Sequence, residues 1–338
     1  MPPDLRDLSP TSARLCLLVE KFLRAQRLVG GLLAAVSGGA DSLALALVLG
    51  VLAPRLKTPV FAVTVDHGLL PDSKAVAAAA ARQCVRLGLD CVCRKVDVSA
   101  FAAEKRLGIE EAGRELRYAA LEEERKARGA AFIALGHHKA DLAEDALMRF
   151  TRGAGWPALA GMPARDERRR LLRPFLLIQP QALKSLLLEC RIAWFEDPAN
   201  RDLRFKRNRM RHTVLPLLCE ENPSFDSGVA RLWRLAQTDR DYWDSVLTET
   251  FKRARRLDGG LLLPAALLRG LHAAVRLRLY HRSFSLLADV AKTPGQPKTD
   301  ALLALDAAFA QKRGNTRFQL SGGLEAKVGR QGILFYRT

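Results

Sequence analysis

The apolar positions of the chain follow two patterns that alternate over roughly the first 150 residues. Short, nearly continuous apolar runs at 31–36, 60–65 and 131–135 predict buried β-strands, and the more polar segment 92–96 predicts another strand. The longer stretches between these runs have apolar positions at helical spacing and predict α-helices. Buried strands that alternate with helices are typical of a parallel sheet covered on both faces. We therefore predict an α/β domain with a Rossmann-like sheet, in which ligands bind at the carboxyl ends of the strands.

The pattern changes near residue 220. Beyond it the apolar spacing is mainly helical, until three short apolar runs separated by Gly-Gly and Gln-Gly predict a small β meander. We expect an α/β domain over residues 1–219, a helical domain over 222–312 and a short β segment over 313–338. The helices predicted in the second region cover 225–256, 264–271, 273–288 and 299–312.

A Gly-rich hexapeptide joins the first predicted strand to the helix after it. Adjacent glycines let a backbone approach an anion closely, and the helix start offers free N–H groups and a partial positive charge. Asp41 adds a candidate ligand for Mg²⁺. The segment has neither the Gly-Lys-Ser/Thr of the P-loop nor the GxGxxG of dinucleotide-binding folds. The residues predicted to bind nucleotide phosphate are Ser37, Gly38, Gly39, Ala40, Asp41 and Ser42.

Polar residues also follow the second and fourth predicted strands. Asp66 and His67 end the second strand and are predicted nucleotide-binding residues, although a structural role for the histidine is about equally supported. After the fourth strand, His137, Asp141 and Glu144 are spaced by four and three residues, so they share one helix face. A histidine and two carboxylates at a helix start can bind Mg²⁺ or orient an amine, although carboxylates there also simply oppose the helix dipole.

Basic residues are abundant and clustered. The formal net charge is +18 and the isoelectric point is about 10.2, which favours a polyanionic partner and RNA in particular. Arg114 and Arg117 lie three residues apart on one helix face, where they either pair with neighbouring glutamates or bind phosphate. The main clusters are Arg165, Arg168, Arg169, Arg170 and Arg173, then Arg201, Arg204, Lys206, Arg207, Arg209 and Arg211, then Lys252, Arg253, Arg255 and Arg256.

The cysteines and the lengths of the apolar runs indicate the cellular compartment of the protein. The six cysteines include no CxxC pair and are expected to be reduced thiols. No apolar run reaches the ~18 residues of a membrane span, and the first residues lack the apolar core of a secretory signal. We expect a cytoplasmic protein without membrane contact.

The hexapeptide at 37–42 resembles the SGGxDS loop of the N-type ATP pyrophosphatases, the PP-loop family. Those enzymes cleave ATP between the α and β phosphates and transfer AMP to an oxygen of a substrate. The segments Glu196–Asn200 and Arg207–Arg211 are further similar to the EDxxN and RNxxR stretches of the tRNA(Ile)-lysidine synthetase branch. The Arg-Gly-Ala-Gly run at 152–155 and the Leu-Arg-Pro run at 172–174 also fit that branch.

The resemblance implies ATP and Mg²⁺ as cofactors, and L-lysine and a tRNA(Ile) with a CAU anticodon as substrates. AMP would activate the C2 oxygen of the wobble cytidine, and an amino group of lysine would displace it. Asp41 would hold Mg²⁺, Asp141 and Glu144 would position lysine or a second metal, and Asp141, Glu144 or His137 would accept the proton. A homodimer is also implied. The residues expected at the tRNA or substrate are Arg114, Arg117, Arg152, Arg173, Asp197, Asn200, Arg204, Arg207, Asn208 and Arg211.

Other interpretations share this fold. A tRNA 2-thiolation enzyme would activate the same type of oxygen, but it uses a CxxC pair or an iron–sulfur cluster. An enzyme that transfers nitrogen to a small molecule is disfavoured, because the strong positive charge of the chain favours a polyanionic partner. A non-catalytic RNA-binding relative is compatible with Ala140, Leu142 and Asp145, which replace polar residues usual in the family.

Overall fold

In the computed structural model of the chain, the described residues are 3–69, 72–291 and 297–338. Leu70 and Pro71, in the segment after the second predicted strand, lie outside them. The chain divides into two compact units, Met1–Gln237 and Thr238–Thr338. The three-part division expected at 219, 222 and 313 stays a prediction.

The first unit contains a six-stranded sheet with helices on both faces. Its strands are β1 Gly31–Ala35, β2 Val60–Asp66, β3 Asp90–Lys95, β4 Ala130–Ala134, β5 Arg165–Asp166 and β6 Leu171–Leu172. Its helices are α1 Pro10–Ala25, α2 Ala40–Leu56, α3 Ser73–Arg86, α4 Val98–Lys105, α5 Ile109–Ala127, α6 Lys139–Phe150, α7 Pro180–Glu189, α8 Lys206–Arg209 and α9 Leu215–Glu221. The strand order is β3-β2-β1-β4-β6-β5, and all neighbours are parallel except β5 and β6. This confirms the predicted parallel sheet.

The centre of the sheet fixes the position of the Gly-rich loop. Leu32 and Ala34 of β1 pack on one face of the sheet, and Leu33 packs on the other with Leu121 of α5. Every residue of α2 from Leu43 to Leu52 is buried. Burial of a leucine side chain stabilises the fold by about 1.5–3 kcal/mol, so the helix is firmly held against the sheet. The loop between β1 and α2 is therefore anchored at both ends.

The second unit contains a five-stranded antiparallel sheet. Its strands are β7 Arg255–Leu257, β8 Gly260–Pro264, β9 Thr316–Gln319, β10 Leu324–Gly329 and β11 Gly332–Arg337, in the order β7-β8-β11-β10-β9. Its helices are α11 Ala265–Arg269, α12 Ala273–Ala291 and α13 Thr299–Ala310, and α10 Phe225–Phe251 begins in the first unit. The predicted helices at the end of the chain and the C-terminal β meander are confirmed in type.

The β7–β8 hairpin corrects two predicted helix boundaries. The helix expected to reach residue 256 ends at Phe251, and the one expected to begin at 264 begins at Ala265. The strands pair because Leu261 and Leu263 lie opposite Phe335 and Ile333 of β11, more than 60 positions later in the chain. The Asp258-Gly259 turn, with Gly259 at φ +75°, is a hairpin signal that the sequence interpretation missed.

Candidate active site

The Gly-rich loop at the end of β1 is held in one conformation by its own hydrogen bonds. The backbone N–H of Ser37 donates to Oγ of Ser42 (3.1 Å), and that hydroxyl donates to the carbonyl of Gly39 (2.9 Å). Gly38 has φ +89°, a conformation that favours glycine. Gly39 stands before α2 and has no side chain to cap the first N–H groups, so the helix start can receive an anion.

Gly136 lies directly behind this loop. A Cβ atom built on Gly136 would stand 2.7 Å from the carbonyl oxygen of Asp41 and 3.2 Å from the backbone nitrogen of Ser42. Only glycine allows the end of β4 to approach the start of α2 this closely. The sequence interpretation assigned no role to Gly136.

We expect Gly136→Ala to disturb the phosphate loop. The added methyl group must push the backbone of Asp41 and Ser42, at an expected cost of about 1–3 kcal/mol. The KM for ATP should rise and the melting temperature should fall. Gly314→Ala is the matched control, because a Cβ there meets nothing within 4 Å among the described residues. Equal effects of the two changes would contradict the contact.

His138 links the loop to the start of α6. Its Nε2 lies 3.5 Å from Oδ2 of Asp41, and its Nδ1 accepts a hydrogen bond from the backbone N–H of Asp141 (3.4 Å). Burial opposes protonation of His138, but its hydrogen bond to Asp41 and the nearby Asp141 charge outweigh burial and raise its pKa. The sequence interpretation missed His138, although the residue follows His137 directly at the strand end.

The carboxylates of α6 form a cluster with two arginines, which we call the arginine–carboxylate cluster (Asp141, Glu144, Arg207 and Arg211). Arg207 donates from Nη2 to Asp141 (2.6 Å) and from Nε to Glu144 (2.7 Å). Arg211 donates to the same two carboxylates, at 3.0 Å to Asp141. The Glu144 side chain is only 1% exposed. Burial opposes ionisation of Asp141, but the charges of His138 and Arg207 outweigh it and lower its pKa.

The chain between α8 and α9 brings these two arginines together. Residues Met210–Val214 form a π-helical turn, a conformation that occurs often at functional sites. The predicted roles of Arg207 and Arg211 at the tRNA backbone stay predictions, and both side chains lie against the carboxylates here.

His137 is half-buried and lies beside Arg173. Nε of Arg173 donates to Nδ1 of His137 (3.3 Å), and Nη1 of Arg173 donates to the carbonyl of Pro163 (2.7 Å). Burial lowers the pKa of His137 to about 3, so the ring is neutral near pH 7. Because Nδ1 already accepts a hydrogen bond, the proton of the neutral ring is on Nε2.

The end of β2 contributes a buried ring nitrogen of a histidine. Nδ1 of His67 finds no hydrogen-bond partner among the described residues, while Asp66 accepts from the backbone N–H of Gly68 (3.0 Å). Burial and the charge of Arg117 lower the pKa of His67. Since buried polar atoms are normally paired, His67 is a candidate contact for a bound nucleotide. Arg117 and Arg114 both lie over the ring of Tyr118, at 5.5 and 5.3 Å from its centroid.

Several residues predicted at the tRNA have local contacts within the chain, and their role at the tRNA stays a prediction. Asp197 caps the turn at 198–201 by accepting from the N–H of Ala199 (2.9 Å), and Asn208 donates to the carbonyls of Ala199 and Asp202. The backbone carbonyl of Asn200 lies 2.9 Å from His212. Arg204 is 89% exposed and pairs with Asp202, and Arg152 is exposed.

The segment around residue 195 contacts the Gly-rich loop, because the N–H of Phe195 donates a hydrogen bond to the carbonyl of Gly38 (2.9 Å).

The unusual residues of α6 have structural contacts. Leu142 is fully buried in an apolar cluster with Met162 and Trp233. Asp145 accepts from Nε of Arg149 (2.6 Å), one turn further along the helix. Asp141 and Glu144 thus retain their cluster while the neighbouring positions serve packing and a local ion pair.

The fold and the loop define the class of protein. The PP-loop domain family matches residues 15–218. The parallel sheet, the SGGxDS loop and the helix start that can receive phosphate agree with this match, and a PP-loop domain implies use of ATP.

Full-length relatives define the family more narrowly. The chain is 42% identical over 318 residues to a tRNA(Ile)-lysidine synthase of Nitratidesulfovibrio vulgaris, covering 89% of this chain and 90% of the relative. It is 37% identical to the tRNA(Ile)-lysidine synthase of Salinispora arenicola, covering 94% of both chains. The chain belongs to the tRNA(Ile)-lysidine synthase family, a family of ATP-dependent ligases.

A solved structure shows the same fold at greater distance. The U34-tRNA thiolase NcsA of Methanococcus maripaludis matches with a TM-score of 0.56 at 17% identity, over 66% of this chain and 79% of that one. Among the described residues, no group of three or more histidine, cysteine or carboxylate side chains is arranged to hold a metal ion. Within the same ranges, no helix is long and apolar enough to cross a bilayer.

Proposed function

We propose that this protein joins L-lysine to C2 of the wobble cytidine of a tRNA(Ile) with a CAU anticodon, which converts decoding from AUG to AUA. The observation that carries the proposal is the identity of 42% with a lysidine synthase over nearly the whole of both chains. The site supports it, because the Gly-rich loop predicted to bind phosphate and a pair of carboxylates lie at the ends of neighbouring strands.

In the first step the C2 oxygen attacks the α phosphorus of ATP, the bond to the bridging oxygen breaks, and pyrophosphate leaves. The N–H groups at the start of α2 would hold the phosphates, and Arg114 and Arg117 would add positive charge. Asp41 fits a Mg²⁺ site, because Mg²⁺ commonly takes one or two carboxylates and completes its shell with substrate phosphates and water. The ion would neutralise charge that develops on the leaving pyrophosphate.

In the second step an amino group of lysine attacks C2 and AMP leaves with the C2 oxygen. The attacking nitrogen must lose a proton, and Asp141, Glu144 and His137 are the candidate acceptors. We favour the two carboxylates, because Nδ1 of His137 already accepts from Arg173. The same carboxylates would attract the ammonium group of lysine, which they would share with Arg207 and Arg211.

The exposed cations outside the arginine–carboxylate cluster are the proposed contacts to the tRNA backbone, with Arg152 and Arg204 foremost. Binding should therefore weaken as the salt concentration rises, because counterions leave the phosphates when these side chains bind. A homodimer and a cytoplasmic location remain predictions.

Incorporation of radiolabelled lysine tests the proposal directly. The purified protein is incubated with ATP, Mg²⁺ and an unmodified tRNA(Ile) transcript, and the methionine tRNA with the same anticodon is the control. We expect label on the isoleucine tRNA alone. Pyrophosphate release without label would keep the adenylation step and overturn lysine as the nucleophile. If neither label nor pyrophosphate release is detected, the catalytic proposal is overturned and a non-catalytic RNA-binding relative is favoured.

A further inference from the structure

The loop that follows α6 exposes two aromatic side chains. Phe150 is 70% exposed at the end of the helix, and Trp156 is 40% exposed six residues later. A single exposed apolar side chain is common, but two large aromatic side chains exposed on the same short segment are typical of a binding site. Neither residue takes part in the site described above.

This loop is ordered by its own backbone. The N–H of Gly153 donates to the carbonyl of Phe150 (3.0 Å), and the N–H of Ala154 donates to the carbonyl of Arg149 (3.0 Å). A Cβ atom built on Gly153 or on Gly155 would meet nothing within 4 Å among the described residues. The aromatic side chains therefore stand on a fixed loop with open space around its glycines.

The positive charge near this loop favours a polyanionic ligand. Arg152 is exposed between the two aromatic residues, whereas Arg149 is paired with Asp145. An aromatic ring beside a guanidinium group is the combination that proteins use to stack unpaired bases and hold the adjoining phosphate. A net charge of +18 supports the same kind of partner.

The position of the loop relates it to the reacting centre. Phe150 follows Glu144 by six residues of α6, which is about 9 Å along a helix that rises 1.5 Å per residue. Stacked bases are about 3.4 Å apart, so this distance spans between two and three base steps. An unpaired nucleotide near the modified base can reach the loop.

We infer that Phe150 and Trp156 form a stacking surface for unpaired anticodon-loop nucleotides that flank the modified cytidine. The inference rests on the proposed tRNA substrate. The surface gives affinity through the faces of the bases, and Arg152 contacts the adjoining backbone.

The experiment measures the affinity of the full-length protein for an anticodon stem-loop RNA with a CAU anticodon. The variants are Phe150→Ala, Trp156→Ala and Trp156→Phe. Leu188→Ala is the control, because Leu188 on α7 is an apolar residue whose exposure (66%) is close to that of Phe150. Each alanine variant should raise Kd about fivefold to 150-fold, because stacking on one aromatic ring contributes ~1–3 kcal/mol per base. Trp156→Phe keeps a ring and should stay within about threefold of the parent protein, as should Leu188→Ala.

A second set of RNAs identifies the stacked base. Each anticodon-loop nucleotide is made abasic in turn and tested with the parent protein and Trp156→Ala. At the stacked position, loss of the base should weaken binding to the parent protein and leave binding to Trp156→Ala unchanged. A Kd for both alanine variants equal to that of the parent, or an effect of Trp156→Ala that is the same at every abasic position, would overturn the inference. A change in oligomer size with an unchanged RNA Kd would do so too, by assigning the surface to a protein interface.

Lysine incorporation separates this inference from the proposed function. If the parent protein incorporates lysine but the aromatic variants bind RNA normally, only the stacking surface is wrong. If the stacking effects appear but no lysine is incorporated, the surface stands and the proposed reaction falls.

Discussion

Asp41→Ala should lower ATP- and tRNA-dependent pyrophosphate release by at least about 100-fold. Asp41 stands in the first turn of α2 beside the phosphate loop, and its Oδ2 lies 3.5 Å from His138. Removal of the carboxylate takes away the proposed Mg²⁺ ligand where charge develops on the leaving pyrophosphate. The fold should persist, since the change costs only the ~0.3–1 kcal/mol of one acidic residue at a helix start.

Asp300→Ala is the matched control for this change. Asp300 is the second residue of α13, as Asp41 is of α2, and neither helix has a side chain that caps its start. Both variants should lose similar stability in thermal unfolding, and only Asp41→Ala should lose pyrophosphate release. Near-normal release by Asp41→Ala would remove Asp41 from the catalytic machinery.

Arg207→Ala should destabilise the first unit by about 3 kcal/mol. The change removes one of two cations from the arginine–carboxylate cluster and leaves the buried Glu144 with Arg211 alone. Removal of one cation from a buried ion-pair cluster is costly, because two carboxylates then share the single charge of Arg211 and Glu144 has little access to water. The loss should appear as a lower urea midpoint and as weaker lysine incorporation.

Arg204→Ala provides the control, because Arg204 belongs to the same basic segment but is 89% exposed and pairs only with Asp202. A surface ion pair of this kind contributes about 0–1 kcal/mol, so the urea midpoint should barely move. Arg204→Ala should instead weaken tRNA binding and reduce its salt dependence. If Arg207→Ala behaves like Arg204→Ala in both measurements, the cluster does not form in solution, and Arg207 binds the tRNA backbone as the sequence suggested.

Local signals in the chain were sufficient for much of the fold. The runs that became β1, β2 and β4 are continuous apolar segments, which a strand buried on both faces requires wherever it lies in the sheet. The Gly-Gly turn between β1 and α2 is likewise a short local motif. The hairpin of β7 and β8 has one local signal, the Asp258-Gly259 turn, but its strands are short and their leucines are stabilised by pairing with β11, a distant partner that apolar spacing does not reveal.

The candidate active site shows the same difference between features set by local sequence and features set by tertiary contacts. The residue order alone predicted the phosphate loop, the shared face of Asp141 and Glu144, and the basic excess that favours RNA, because these depend on local spacing and composition. Only the tertiary structure showed that Arg207 and Arg211 meet those carboxylates, that Gly136 backs the phosphate loop and that His138 lies between Asp41 and Asp141. A charged side chain has the same sequence pattern whether it faces solvent or a buried partner. Its role is settled by the partners that folding brings near it, and here they lie more than 60 residues away in the chain.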